Sequence, residues 1–386
     1  MTHSFAAFAL LLAVAPSAAA QEEPPGADDP YTRGEPEAVA AAGYRSLGPF
    51  TLGDGVTTTK VEEALGGVEV RWIETEHFRI GSTLETWKLE DREEKALLAK
   101  ELRALRQLLP DAPKRARKLD PWLRAHLYAL RAERVYDSVA AVLGADGESL
   151  EPLLGAGDRF VLLLFAKESE FGRFAERFIG PEASRGSLRH YFPRSRVLLY
   201  AAHAETDAFA RSDLTLHCAV AYNLAIYLLD GYRGYGFALP AWLPVGFGHR
   251  VARSVSPKQN YFTDSRLFTA DDVAEWHWAP RVRARVANDY FPSARKLGAW
   301  DDQLGLKFAD HMMAWSRVDH LAQAEPEGFA RFLRAMKAPF PPREYPIPPE
   351  RLLERQWEAL QAGLGWTPEE WDEAWREWVL ATYPRR

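Results

Sequence analysis

The fold of this chain is decided by residues Ser212–Arg253, which have the sequence SDLTLHCAVAYNLAIYLLDGYRGYGFALPAWLPVGFGHRVAR. Apolar side chains recur in the first half of this stretch at helical spacing. Ser212 or Asp213 can cap the first turn, because a side-chain oxygen there accepts from the free backbone amides. Gly231 suits the end of that helix, and a Pro-Ala-Trp segment then leads into a second apolar helix. The stretch therefore predicts two helices joined by a glycine-rich turn.

The same stretch resembles the active-site region of gluzincin-type zinc metallopeptidases, the peptidase MA-like families. In those families an H-E-x-x-H helix supplies two zinc ligands and the general base, and a P-x-W-L-x-E-G segment supplies the third ligand. Here His217 stands at the first ligand position, and Pro240, Trp242, Leu243 and Gly246 match the second segment. The resemblance covers about residues 68–384, with its specific part at 214–250.

At the positions that supply the base and two of the zinc ligands in those families, this chain has other residues. Cys218 stands at the position of the general base, Ala221 at the second histidine and Val245 at the third ligand. A catalytic zinc needs about three protein ligands, and only His217 remains. We therefore expect no catalytic residue, no metal ligand set and no cofactor, and we interpret the chain as a pseudopeptidase. Its vestigial cleft, a candidate ligand-binding site, is expected to comprise His217, Cys218, Ala221, Trp242, Val245 and His249.

Two alternatives assign a catalytic role to residues of the same region. His249 lies one helical turn after Val245, so His217 and His249 could hold a metal together with a nearby carboxylate, making the chain an active metal-dependent hydrolase. Cys218 could be a nucleophile, but adjacent helical residues point about 100° apart, so His217 does not suit it as a base. The vestigial interpretation is preferred because Ala221 and Val245 leave no unpaired polar ligand in a dry cleft.

The fold class that the resemblance implies is α+β with gluzincin, thermolysin-like architecture. A mixed sheet and the active-site helix would form an upper lobe over about 67–230, and helices would form a lower lobe over about 240–386. The sequence itself predicts strands at 159–165, 187–192 and 196–201, in a β-α-β-β order before the His217 helix. By resemblance, the strand at 196–201 would form the edge of the sheet beside the cleft and pair with an extended ligand.

The N-terminal residues 1–20 predict a secretory signal peptide, because an apolar run is followed by an Ala-Ala-Ala cleavage site. Residues 21–66, rich in proline and acidic side chains at their start, are expected to form a disordered tether and entry segment. Cys218 is the only cysteine, which excludes an intramolecular disulfide. We therefore expect a secreted or periplasmic protein without a transmembrane segment.

The overall charge is nearly balanced, with 48 basic against 54 acidic side chains. This balance argues against a nucleic-acid partner, which would favour an excess of positive charge. The 13 tryptophans are expected mainly in the core, although exposed ones could stack on sugars or peptides. The expected partner is therefore a peptide, protein or glycan of unknown identity, with a scaffold role as a further option.

Overall fold

The computed structural model of the chain describes residues 24–150, 158–183, 186–205, 212–235, 239–263, 267–300, 302–303, 305–339 and 347–385. The predicted signal peptide at 1–20 lies outside the described residues. Helices and a mixed sheet occur in one chain, so the α+β class is confirmed.

The helices of the described residues are α1 (Pro36–Ala41), α2 (Thr58–Leu65), α3 (Arg92–Leu108), α4 (Pro121–Leu143), α5 (Glu168–Phe178), α6 (Asp213–Gly231), α7 (Trp242–Val255), α8 (Ala270–Ala274), α9 (Trp278–Ala287), α10 (Ala294–Gly298), α11 (Phe308–Ala324), α12 (Pro326–Met336), α13 (Pro349–Leu364) and α14 (Pro368–Thr382). The strands are β1 (Thr51–Gly53), β2 (Val56–Thr57), β3 (Arg71–Glu74), β4 (Phe78–Ser82), β5 (Trp87–Lys88), β6 (Lys118–Leu119), β7 (Phe160–Phe165), β8 (Leu188–Phe192) and β9 (Val197–His203).

The main sheet has five strands in the order β3-β4-β7-β9-β8. The inner pairs β4–β7 and β7–β9 are parallel, and the outer pairs β3–β4 and β8–β9 are antiparallel. The three strands predicted before α6 are confirmed as β7, β8 and β9. The prediction that 196–201 forms the edge is wrong, because β9 pairs on both sides and β8 is the edge. All seven residues of β9 are buried, which is typical of an interior strand.

Two helical layers cover the sheet. Alternate residues of a strand point to opposite faces, so each face packs on its own layer. Leu162 and Leu164 of β7 join a core with α4 and α6, whereas Val161 and Leu163 pack with Phe171 of α5. The first core continues into the C-terminal helices as far as Tyr383, so the predicted upper and lower lobes share one interior.

Helix α7 lies between α6 and α11, and two glycines make that close packing possible. A Cβ at Gly246 would lie 2.3 Å from the carbonyl oxygen of Ala314 in α11. A Cβ at Gly248 would lie 2.8 Å from the ring of Tyr222 in α6. Any larger residue would push the helices apart, since real side chains are not found at such distances. The two contacts therefore set which faces of α6 and α11 meet α7.

Helix α6 is long and apolar enough to cross a membrane by length and composition alone. In the folded protein, however, 94% of its most apolar 18-residue stretch is buried. Burial of this kind is typical of the central helix of a protein core. It is the one such helix in the described part of the chain, so the structure contains no clear membrane span there.

The prediction of a disordered tether over 21–66 is wrong for residues 24–66, which contain α1, β1, β2 and α2. Asp29, with an exposure of 0%, lies within 3.1 Å of Nε2 of His126 in α4 and accepts from the hydroxyl of Thr32. Tyr31 donates to Asp120, the N-cap of α4, over 2.5 Å. The polar side chains that suggested disorder therefore pair with residues of α4 and its N-cap instead of with water.

Asp29→Ala should lower the free energy of unfolding by about 3 kcal/mol, because it removes a buried carboxylate and leaves His126 and Thr32 without their partner. Urea denaturation followed by circular dichroism measures this. Asp111→Ala, at an exposed position, is the matched control and should change stability by less than about 0.5 kcal/mol. Equal, small effects of both substitutions would show that the N-terminal segment does not pack on α4.

Candidate functional site

The N-terminus of α6 is held by a buried group of charges, Glu101, Arg124, Arg131 and Asp213, here called the Arg131 network. Arg131 donates to Asp213 over 2.6 Å and to the two carboxylate oxygens of Glu101 over 3.0 and 2.8 Å. Arg124 donates to the other oxygen of Asp213 over 3.0 Å. The network joins α3, α4 and α6, and Ser212 caps α6 as predicted by accepting from the amide of Thr215.

The network also sets the charge of its carboxylate on α6. Burial alone would raise the pKa of Asp213, but the charges and hydrogen bonds of Arg131 and Arg124 outweigh it and lower that pKa. Asp213 is therefore ionised in the folded protein. An ionised carboxylate at the first turn also interacts favourably with the positive end of the helix dipole.

His217 lies one turn further along α6 and is turned toward this network. Its Nδ1 is 3.6 Å from Oε1 of Glu101, which is too long for a hydrogen bond, and it has no hydrogen-bond partner in the described part of the chain. Burial and the charge of Arg131 lower the pKa of His217 well below its usual value, so the imidazole is neutral. Its side chain lines a cavity of about 190 Å³ together with Ser138 and Ser254.

The positions that the resemblance assigns to the base and the other ligands are sealed. Cys218 and Ala221 have an exposure of 0% and Val245 of 1%. Burial raises the pKa of the Cys218 thiol to about 12, so the thiolate required of a nucleophile is not formed at neutral pH. Trp242 is also buried, and its indole donates to Gln356 over 3.2 Å. The expected vestigial cleft is a packed interface.

His249 lies on the opposite side of this interface. Its Nε2 is 2.8 Å from Nδ1 of His311 in α11, and its ring packs against those of Tyr222 and Trp278. Burial lowers the pKa of His311 to about 3 and that of His249 well below its usual value. The two imidazoles are therefore neutral, one donating and the other accepting.

The structure does not bring the predicted ligands together. His217 lines the cavity beside the Arg131 network, whereas Val245 lines a separate cavity of about 10 Å³ with Tyr222 and His311. Tyr222 meets α7 at Gly248, whereas the cavity of His217 is bordered by α4 and by Val251 and Ser254 further along α7. Across the described residues, no group of three or more His, Cys, Asp or Glu side chains could hold a metal ion.

A larger cavity of about 690 Å³ opens between α7, α9 and α11. We call it the arginine–tryptophan cleft, after the lining residues Arg250, Arg253, Trp276, Trp278 and Trp315. It shares the lining residues Ser138 and Ser254 with the cavity of His217, so the two cavities are neighbours. Sequence reasoning missed it because its walls come from five separate segments. The local signal was the pair of arginines three residues apart on α7, followed by the irregular, aromatic-rich segment.

The two arginines of the cleft differ in their surroundings. The guanidinium of Arg253 lies 4.3 Å from the ring centre of Trp278 and 5.2 Å from that of Trp315, and it donates to Asn260 and to the Trp276 carbonyl. Burial lowers its pKa to about 10, which leaves it charged at neutral pH. Nε of Arg250 lies 3.5 Å from Asp319.

No protein-family model matches this chain, and no curated protein is significantly similar to it.

The Arg131 network predicts a loss of stability in acid. The pKa of Asp213 is lowered by folding, so its contribution is complete above the unfolded-state value near 3.8 and is lost as the pH falls below it. Asp213→Asn should lower the free energy of unfolding at neutral pH by about 3 to 5 kcal/mol, because two buried arginines lose their negatively charged partner. The difference from wild type should shrink on acidification, in urea titrations at a series of pH values. Asp137→Asn, exposed on α4, is the control. A pH-independent difference would contradict the assignment.

Because His217 and Val245 line different cavities, we expect that placing the residues of the gluzincin motif in this chain will not create a zinc site. Cys218→Glu, Ala221→His and Val245→Glu together should not produce a folded protein with bound zinc, because the three ligands would not face one another. Zinc content of the protein refolded in excess zinc is the measurement, with circular dichroism to report folding. A folded variant holding about one zinc would show that the ligand positions do converge.

Proposed function

We propose that this protein is a pseudopeptidase, a relative of gluzincin-type metallopeptidases that acts outside the cytoplasm by binding a peptide, protein or glycan. The proposal rests on the contrast between the buried interface of α6 with α7 and the outer face of α7. The ligand positions of the family motif are buried in helix packing, whereas the outer face of α7 borders the open arginine–tryptophan cleft. A cavity of this size lies in the range of known ligand sites.

The loss of hydrolysis follows from the chemistry of the remaining side chains. A zinc hydrolase needs a ligand set with one open position and a base for the bound water. Ala221 and Val245 have no donor atom, and Cys218 is a buried neutral thiol. His217 remains, but a single imidazole beside the positive Arg131 is a poor site for a cation.

The alternative of a hydrolase with a rebuilt metal site has less support. It requires His217 and His249 to share one metal, yet His217 lines the cavity beside the Arg131 network, whereas the ring of His249 packs against Trp278. His249 also has one ring nitrogen committed to His311. A binding role is favoured because it uses the cavity that the fold leaves open.

The location outside the cytoplasm is supported by the residues 1–20, whose pattern is that of a signal peptide. Cys218 is a single buried thiol, so no disulfide can form within the chain in any compartment.

Purified protein should contain no stoichiometric zinc and should not hydrolyse a mixture of unstructured peptides at neutral pH with zinc added. Metal analysis and mass spectrometry of the peptides measure the two properties. An active gluzincin assayed alongside serves as the positive control. One equivalent of zinc that disappears in both His217→Ala and His249→Ala, together with peptide cleavage, would contradict the proposal and favour the rebuilt site.

A further inference from the structure

The arginine–tryptophan cleft has an excess of positive charge. Arg250 and Arg253 lie three residues apart on α7, the spacing that places two side chains on one helical face. Asp319 is the one carboxylate among the residues lining the cleft. It already accepts from Gln323 over 2.8 Å, and burial raises its pKa. The charge of the lining therefore favours an anion.

Arg253 is held in a fixed orientation by its neighbours. Trp278 and Trp315 contact its guanidinium, and Asn260 fixes one end of it. The hydrogen bonds to Asn260 and to the Trp276 carbonyl use two of the five N–H groups of the guanidinium. A cation that is already ordered loses little further entropy when an anion binds. Planar guanidinium groups bind carboxylates well because two parallel hydrogen bonds can form.

Apolar side chains form much of the rest of the lining, beside the polar side chains of Ser138, Ser254, His277 and Gln323. Pro257, Pro280 and Pro384 line the cleft, and Trp276 at its rim has an exposure of 37%. Sugar hydroxyls that faced these indole and proline surfaces would lose water without gaining a hydrogen bond, which costs free energy. An apolar ring would instead replace water along indole and proline surfaces. The walls therefore favour an apolar group over a sugar.

We propose that the cleft binds a carboxylate attached to an apolar ring, the chemistry at the C-terminus of a peptide that ends in an aromatic residue. Arg250 and Arg253 bind the carboxylate, and Trp276 contacts the ring. The cavity of His217 adjoins the cleft at Ser138 and Ser254, and the preceding residue would extend in that direction. The inference rests on the proposed binding function and specifies its ligand.

The test is isothermal titration calorimetry with three small probes. N-acetyl-L-phenylalanine has the free carboxylate and the ring, N-acetyl-L-phenylalaninamide has the ring alone, and D-glucuronic acid has a carboxylate on a sugar. We expect the first probe to bind at least about tenfold more tightly than either of the others. Its affinity should fall with added salt, because the contact is between charges.

Variants locate the site. Arg250→Gln should weaken binding of N-acetyl-L-phenylalanine by about tenfold and leave the amide unchanged, whereas Arg250→Lys should retain part of the affinity. Trp276→Ala, at the exposed rim, should weaken the acid and the amide alike. Arg295→Gln removes the same charge from an exposed position outside the cleft and is the matched control. Circular dichroism of each variant verifies folding.

Three outcomes would overturn the inference: equal binding of acid and amide, tighter binding of glucuronic acid, or no binding of N-acetyl-L-phenylalanine at up to millimolar concentration. These results would leave the proposed pseudopeptidase function standing, because that proposal is tested by zinc content and peptide cleavage. Conversely, zinc-dependent cleavage with no role for Arg250 would remove the function and the inference together.

Discussion

The structure depends on the pairing of Arg131 with Glu101 and Asp213 inside the protein. A charge buried without a partner costs several kcal/mol, so the three side chains can be buried only together. Because they come from α4, α3 and α6, their pairing fixes how these helices meet. It also places the paired side chains of Glu101 and Arg131 beside His217. The same constraint that orders α6 therefore keeps the Glu101 carboxylate bound to an arginine instead of free to bind a cation.

The second constraint is the close approach of α7 to its neighbours through Gly246 and Gly248. With α6 held by its charges, these two glycines decide which residues of α7 are buried and which are exposed. Val245 and His249 are turned into the core, where His249 pairs with His311. Arg250 and Arg253 are left on the outer side, facing α9 and α11. The buried contacts of α7 and the open cleft on its outer side therefore both result from this packing.

This arrangement explains why Ala221 and Val245 suit their positions in the core. A histidine or carboxylate at Ala221 or Val245 would be buried without metal and would need its own hydrogen-bond partners. Small or apolar side chains avoid that cost and let α6 and α7 pack closely. The free energy of the core is then independent of any bound group. The polar surface available for recognition lies in the cleft beyond α7, where solvent reaches Arg250 and Trp276.

The sequence by itself determined the elements and their local ends. The periodicity of apolar residues located β7, β8, β9 and α6, and Ser212 marked a helix start that the structure retains. Such signals are local, because periodicity and capping depend on residues within one or two turns.

Only the tertiary structure decided which residues meet. Asp29 pairs with His126, 97 residues away, and this order in the N-terminal segment is not encoded in its polar composition. His249 pairs with His311, 62 residues away, instead of joining His217. The position of β9 inside the sheet and the walls of the arginine–tryptophan cleft likewise depend on long-range packing. A pattern along the chain specifies that a side chain is buried, but the partner that it meets is set by the arrangement of whole helices and strands.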